Sequence, residues 1–373
     1  MISAHARTPA EKPRARALGL SVEGTPGPLN AITDVPGVAV GYTTLIEGQG
    51  PLVPGHGPVR TGVTAILPRS LDDLQTPVFA GYHSFNGNGE LTGAHYIAEA
   101  GKISLPVTIT NTNSCGVARD ATIRWATQAF AGAFDEDFAL PVAAETYDGF
   151  LNDINGFHVT AEHVFAAIES ATSGPVEEGS VGGGTGMKCF GFKAGSGTAS
   201  RIVPFAGQDY MLGAFVQANF GAREDLTVLG RRIGAAFDGW QMRRRTPDRS
   251  LSSIIAVIAT DAPFLPHQLR RLAQRATVGV ARMGGIGRHG SGDIFLAFST
   301  ANREISGGTA PGLLQSDWVP DEHIDGFFEA AAQSVEEAIL NSMVANADME
   351  GRDGNFVPAI PHDRLAELLG LNV

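Results

Sequence analysis

The sequence predicts a layered α/β or α+β sandwich. Segments of strand character and segments of helical period alternate in blocks, not as strict βαβ units, which argues against a barrel or a dinucleotide-binding sheet. Residues 254–259 form a short apolar run rich in β-branched residues, the pattern of a strand buried on both faces. Of 373 residues, 43% are hydrophobic and 18% charged, which suits a well-filled core and excludes wholesale disorder. The length fits one large domain spanning residues 1–373.

Taken in order, residues 1–18 read as a loose arm, and 32–42 as a turn followed by a strand. A Gly/Pro loop at 47–58 leads to a strand at 61–67 that Pro68 ends. Residues 78–85 are strand-like and run into Asn86-Gly87-Asn88-Gly89-Glu90, a cluster tolerant of positive φ. A helix at 91–100 closes on Gly101. The strand at 107–111 precedes Thr112-Asn113-Ser114, N-cap chemistry for a helix over 115–130. A strand at 142–146 follows, then a helix capped by Thr160 with Val164, Ala167, Ile168 and Ala171 on one face. The glycine-rich segment 181–187 precedes a hairpin, and 210–219 is a further strand. From Arg223 the spacing of Leu226, Leu229, Ile233 and Phe237 predicts a helix. After the core strand, Pro263 and Pro266 introduce a helix, 293–298 is a strand, 321–343 a long amphipathic helix and 365–371 a short final one.

Composition removes several classes of function. The net charge of −12 argues against nucleic acid and anionic membrane as partners. No run approaches the length of a membrane-spanning helix, and the N-terminus has no apolar signal segment, so a cytoplasmic location is expected. Cys115 and Cys189 lack metal-type spacing and are expected to be buried free thiols. The ten histidines are scattered without ligand spacing, so neither a metal nor another cofactor is expected. Gly285-Ile286-Gly287-Arg288-His289-Gly290 matches GxGxxG but follows a helix and precedes a strand, the wrong order for a dinucleotide site. HExxH, GxSxG and SxxK are all missing.

The informative stretch is 250–261. The polar, proline-broken run 243–249 reads as an exposed loop, and Ser252 and Ser253 sit where it enters the apolar strand. A chain that cuts itself there exposes an N-terminal serine. Its α-amine, with a pKa of about 8, is able to serve as base for its own hydroxyl. The bland alternative is a loop entering a core strand with two serines at its head. The chain also carries a set of polar residues at strand and helix ends: Asn111, Asn113, Ser114, Glu145, Tyr147, Asn219, Ser253, Ser291 and Asp293. Singly, such residues cap backbone groups. Together with an activatable serine they supply the parts of an acyl-transfer site.

The stretches 81–90, 109–114, 145–149, 182–187, 217–221, 253–261 and 291–295 resemble, in order, the β-aminopeptidase family, which includes the L-aminopeptidase/D-amino-acid esterase–amidases. The resemblance implies a four-layer αββα sandwich, like that of N-terminal nucleophile hydrolases but with different connectivity. It implies self-cleavage into residues 1–252 and 253–373, which stay associated, usually as a homo-oligomer of such pairs. It carries the nucleophile onto Ser253, the oxyanion donor onto Asn219 with Tyr147 assisting, and the amine-binding carboxylate onto Glu145. Ser291 and Asp293 fall on positions that help activate the nucleophile. The expected substrate is a small peptide, amino-acid amide or ester with a free amine, hydrolysed without a cofactor. Whether L-, D- or β-amino acids are preferred is left open.

These roles make chemical sense. A carboxylate facing an ammonium gives a charge-assisted bond. An amide aimed at the developing oxyanion is worth roughly 3 kcal/mol. Ser291 and Asp293, spaced i and i+2, share a strand face. One departure is Ser252, where a relative can carry Gly or Asn: its carbonyl is the one attacked, so a larger neighbour is expected to slow the cut. Ser250 and Ser252 are rival hydroxyls, and Ser253 is preferred because it abuts the apolar run. Two other functions fit the same fold. The self-cleaving ornithine acetyltransferases use a threonine, which Ser253 counts against, and an uncleaved ligand-binding protein would keep the fold without the chemistry.

Overall fold

In the computed structural model, which describes residues 3–245, 251–305 and 312–371, two sheets face each other. The first has four strands in the order β1 (Ala39–Glu47), β2 (Val59–Leu67), β5 (Val107–Asn111) and β6 (Ala143–Thr146). The second has six: β4 (Lys102–Ile103), β3 (Val78–Gly87), β14 (Ser291–Ser299), β13 (Ser252–Thr260), β10 (Gln208–Asn219) and β9 (Ser196–Phe205). Each sheet has one parallel pair, and a helix makes each crossover. These helices are α2 (Cys115–Ala129) between β5 and β6, and α4 (Pro266–Arg282) between β13 and β14.

Side-chain alternation turns the sheets into four layers. Along β13, Ile255, Val257 and Ala259 pack between the sheets against Val40, Ile66 and Ile109. Ile254, Ala256 and Ile258 point the other way, to the layer containing Leu269, Leu272 and Ala276 of α4 and Val335 and Ile339 of α5 (Asp325–Val344). The outer face of the first sheet carries Val63, Ala65 and Ala143, covered by Ala118 and Trp125 of α2 and Val164 and Ile168 of α3 (Ala161–Glu169). The order is αββα, as the resemblance implied. Both faces of β13 are buried, which is why its sequence is continuously apolar. Gly81 on β3 allows α4 to sit close, since a Cβ there would run into the backbone of Arg270.

Two expectations are corrected. The region from Arg223 is not a helix. A short 3₁₀ turn, Arg223–Asp225, leads into a hairpin of β11 (Thr227–Val228) and β12 (Arg231–Arg232). The two residues at its tip, Leu229 and Gly230, both have positive φ (48° and 75°), the signature of a tight hairpin turn. Leu226, Ile233 and Phe237 are buried all the same, so apolar spacing identified the inward residues and misassigned the backbone. The N-terminal arm is also not loose. Arg14 is buried, bonded to Glu178 at 2.7 Å and to carbonyls of Ala4, Leu29, Asn30 and Thr198. The apolar pattern of β9 is interrupted by Arg201 and two serines, Ser196 and Ser200, so its bounds are not visible in the sequence. Arg201 is buried on Glu337 of α5 at 2.7 Å.

Glu337 gathers three residues from the first part of the chain: Arg16 at 2.6 Å, Arg201 at 2.7 Å and the Asn30 amide at 2.6 Å. Burial raises its carboxyl. The Arg16 hydrogen bond and the charges of Arg201 and Arg16 outweigh this, leaving it below the ordinary glutamate range. A depressed carboxyl contributes stability in full above its unfolded pKa of about 4.3 and loses it as pH falls through the lower folded value. Glu337→Ala strands the buried Arg201 charge and is expected to cost about 3–5 kcal/mol at neutral pH, read from the urea midpoint. Glu337→Gln should flatten the acid limb of stability, and an unchanged acid limb would contradict this.

Candidate active site

The ends of β10, β13 and β14 lie side by side, and their register brings the predicted residues together. Asn219 stands opposite Ser253 in the antiparallel pair, and Gly292 stands opposite Ser253 in the parallel one. By strand alternation Ser253 and Asn219 share the face of Ile255 and Phe215, the space between the sheets. Ser253 is 3% exposed, and its Oγ has no hydrogen-bond partner among the described residues. Native structures leave few buried hydroxyls unsatisfied, so this one is notable. Ser252 pairs with Ser291 inside the strand. The rival Ser250 and the loop residues 246–249 lie outside the described residues.

Asn219 is held from both ends of its carboxamide. Oδ1 accepts from the Lys188 N–H at 3.1 Å, and Nδ2 donates to the Tyr147 carbonyl at 2.9 Å. That leaves the second Nδ2 hydrogen without a partner among the described residues. Two residues earlier on the same face, Gln217 donates to the Thr110 carbonyl and to Thr146 Oγ1 at 3.0 and 2.7 Å, tying β10 to β5 and β6 across the gap. Tyr147 follows directly, with its hydroxyl over Gly149, where a Cβ would collide with the ring.

Glu145 is buried at the end of β6. One carboxylate oxygen accepts from the Glu90 N–H at 3.0 Å and the other from the Thr112 hydroxyl. Among the described residues it has no cationic partner. Burial raises its pKa, opposed by the bonds from Thr112 and the Glu90 N–H. The turn 86–90 links it to β14. Gly89 packs on Gly292, Ser253's register neighbour, and on its other side meets Glu145 Oε1. A side chain at 89 would wedge between them.

Ser291 and Asp293 are bonded to each other, Ser291 Oγ donating to Asp293 Oδ1 at 2.6 Å. Their register neighbours are Ser252 and Ile254, so their side chains lie on the opposite sheet face from the Ser253 side chain. Asp293 accepts from the Ile254 N–H, and burial pushes its carboxyl up to about 6, opposed by the Ser291 and Ile254 bonds. The pair therefore flanks the backbone of the 252–254 segment and is not bonded to the Ser253 hydroxyl. A pocket of about 490 Å³ opens here, with Asn219, Ser252, Lys188, Arg223, Arg244 and Arg288 in its wall.

Other polar residues singled out in the sequence bond to backbone and side-chain groups of neighbouring loops and strands. Asn111 Oδ1 accepts from the Ser114 N–H, and Asn113 donates to Asn155 Oδ1 and the Ile154 carbonyl. The cysteines are buried free thiols, and burial raises both pKa values, Cys115 to about 12. Thr112, Gln217 and the Lys188 N–H were not assigned from sequence. Gln217 carried a usable signal, two residues before Asn219 on a strand.

The profile of peptidase family S58 matches residues 30–357. The β-peptidyl aminopeptidase BapA of Sphingosinicella microcystinivorans is 49% identical, with 96% of this chain and 92% of that protein covered. The structure of an L-aminopeptidase D-Ala-esterase/amidase from Ochrobactrum anthropi, described as a prototype serine aminopeptidase and a variant of the Ntn hydrolase fold, superposes with a TM-score of 0.90. It is 49% identical, and the match covers 96% of this chain and 98% of that one. A Burkholderia sp. β-aminopeptidase superposes at 0.87 with 47% identity, covering 96% of this chain and 98% of that one. With the family profile spanning most of the chain and relatives nearly half identical along it, this chain belongs to peptidase family S58.

Proposed function

We propose that this chain is a self-processing serine aminopeptidase, with amidase and esterase activity on small substrates that carry a free amine. One observation carries the reading: a buried, unpartnered Ser253 hydroxyl at the head of the core strand, in register with a carboxamide that has an N–H to spare. The family and the relatives' names support the same class of reaction.

In the precursor, Ser253 Oγ attacks the Ser252 carbonyl, and the acyl group passes from nitrogen to oxygen. Water then hydrolyses that ester, leaving a Ser252 carboxylate and a Ser253 α-amine. In the mature enzyme this amine takes the Oγ proton as Oγ attacks the substrate carbonyl. Asn219 Nδ2 donates to the oxyanion, with Tyr147 beside it. The proton passes to the leaving amine or alcohol, and water releases the aminoacyl group. The ionised Glu145 receives the substrate's ammonium, a bond its lack of a cation leaves available. Ser291 and Asp293, on the backbone side of Ser253, orient the α-amine; they do not contact the hydroxyl. Residues 1–252 and 253–373 remain one body after the cut, and pairs of this kind assemble into a homo-oligomer.

Intact mass under denaturing conditions tests the cut. Two fragments, the second beginning at Ser253, are expected for the native sequence and one full-length mass for Ser253→Ala. A single mass for folded native protein would remove the self-processing reading, and a cut before Ser252 would move the nucleophile.

Asn219→Ala is expected to lower kcat by about 10²–10³-fold with KM little changed, because the donor acts on the oxyanion alone. Steady-state kinetics on an amino-acid p-nitroanilide would read this.

Because burial raises the Glu145 pKa, the carboxylate that binds the amine is lost as pH falls through that raised value. kcat/KM for amine-bearing substrates should therefore rise with pH through a value above the usual glutamate range. Glu145→Gln should erase that limb and lower kcat/KM by about 10- to 100-fold, the worth of a charge-assisted bond. A limb that persists in the variant belongs to another group.

A further inference from the structure

Lys193 is fully buried on β8 (Phe192–Lys193), which pairs with β7 (Lys188–Cys189) so that Lys193 stands opposite Lys188. Among the described residues no carboxylate meets it. Its Nζ donates to two backbone carbonyls, Met187 at 2.8 Å and Ala194 at 2.6 Å. The Met187 carbonyl belongs to the same peptide unit as the Lys188 N–H, and that N–H donates to Asn219 Oδ1 at 3.1 Å. The order is amine, peptide, carboxamide: Lys193 Nζ, Met187 C=O, Lys188 N–H, Asn219.

A donor on an amide oxygen draws electron density toward it and makes the N–H at the other end a stronger donor. That N–H, resting on Asn219 Oδ1, does the same to the carboxamide and so to its Nδ2 hydrogens. It also fixes which way the carboxamide faces. Turned over, Asn219 would set its oxygen against the Tyr147 carbonyl and its NH₂ against the Lys188 N–H, two repulsive contacts. Burial pushes the Lys193 ammonium well below the ordinary lysine range, and the charge of Lys12 acts the same way. The chain of bonds survives either outcome, since a neutral amine still has two N–H donors for two carbonyls. A methionine would fill the same volume without burying an amine. What a lysine adds here is direction.

We infer that Lys193 is a positioning residue for the oxyanion donor, fixing and polarising the 187–188 peptide that holds the Asn219 carboxamide toward Ser253. The inference rests on the reading of Asn219 as that donor.

The test is a double-mutant cycle between Lys193→Met and Asn219→Ala, read as kcat and KM on an amino-acid p-nitroanilide and as the rate of self-cleavage by mass. Lys193→Met is expected to lower kcat and the cleavage rate about tenfold with KM within about twofold, one hydrogen bond's worth of alignment. In the Asn219→Ala background it should cost almost nothing more. Lys193→Gln keeps an N–H donor at similar volume and should recover most of the loss; it also serves if the methionine variant fails to fold. Equal losses in both backgrounds, or undiminished kcat in a folded Lys193→Met protein, would overturn the inference while leaving Asn219 its role. An Asn219→Ala enzyme with undiminished kcat would remove the oxyanion reading, and this inference with it.

Discussion

The register of one strand decides this site. β13 is buried on both faces, so a slip of one residue would exchange its two apolar sets and turn Ser253 away from the space between the sheets. Fixing Ile255 and Val257 against the first sheet also fixes Ser253 opposite Asn219 and beside Gly292. The apolar core thus does the alignment that a flexible loop would do poorly, and Ser253 and Asn219 sit where rigid strands end.

The polar residues at those ends work as one assembly. Gln217 ties β10 to the first sheet, and Asn219 continues the row to the Tyr147 carbonyl. The glycine-rich segment passes through this gap, where Gly183 leaves room for Gln217 and Ile109. Thr146 also donates to the Met187 sulfur, so the segment carrying Glu145 and Tyr147 is stapled to the one carrying the Lys188 N–H. Asn219 and Glu145 thereby belong to a single hydrogen-bonded body.

A cut within β13 leaves most of this body intact. β13 keeps β10 of residues 1–252 on one side and β14 of residues 253–373 on the other. Glu337, after the cut, binds Arg16, Arg201 and Asn30, all before it. Asn341, also after it, accepts from the Ala15 N–H and donates to the Thr198 carbonyl. Buried charge pairs and a shared core would hold the two parts together if the covalent link were cut.

Much of this was legible in the chain itself. The double burial of β13 follows from its unbroken apolar run, and the inward residues of α4 from their helical spacing. Both are local patterns, and local patterns survive in a sequence. The resemblance carried roles onto Ser253, Asn219, Tyr147 and Glu145, and each lies at or next to the end of a strand. The hairpin at Leu229-Gly230 and the anchored arm were not legible. The first depends on positive φ in a stretch whose apolar spacing imitates a helix, and the second on carboxylates more than a hundred residues away. Tertiary structure alone decided which face each side chain takes across strands: Ser253 with Asn219 on one, Ser291 with Asp293 on the other. It alone brings Lys193 Nζ and Asn219 Oδ1 to opposite ends of the 187–188 peptide, which belongs to neither residue. Spacing along a strand fixes the face of its own side chains, but which strand lies beside it, and in what register, is set by the packing of the whole core.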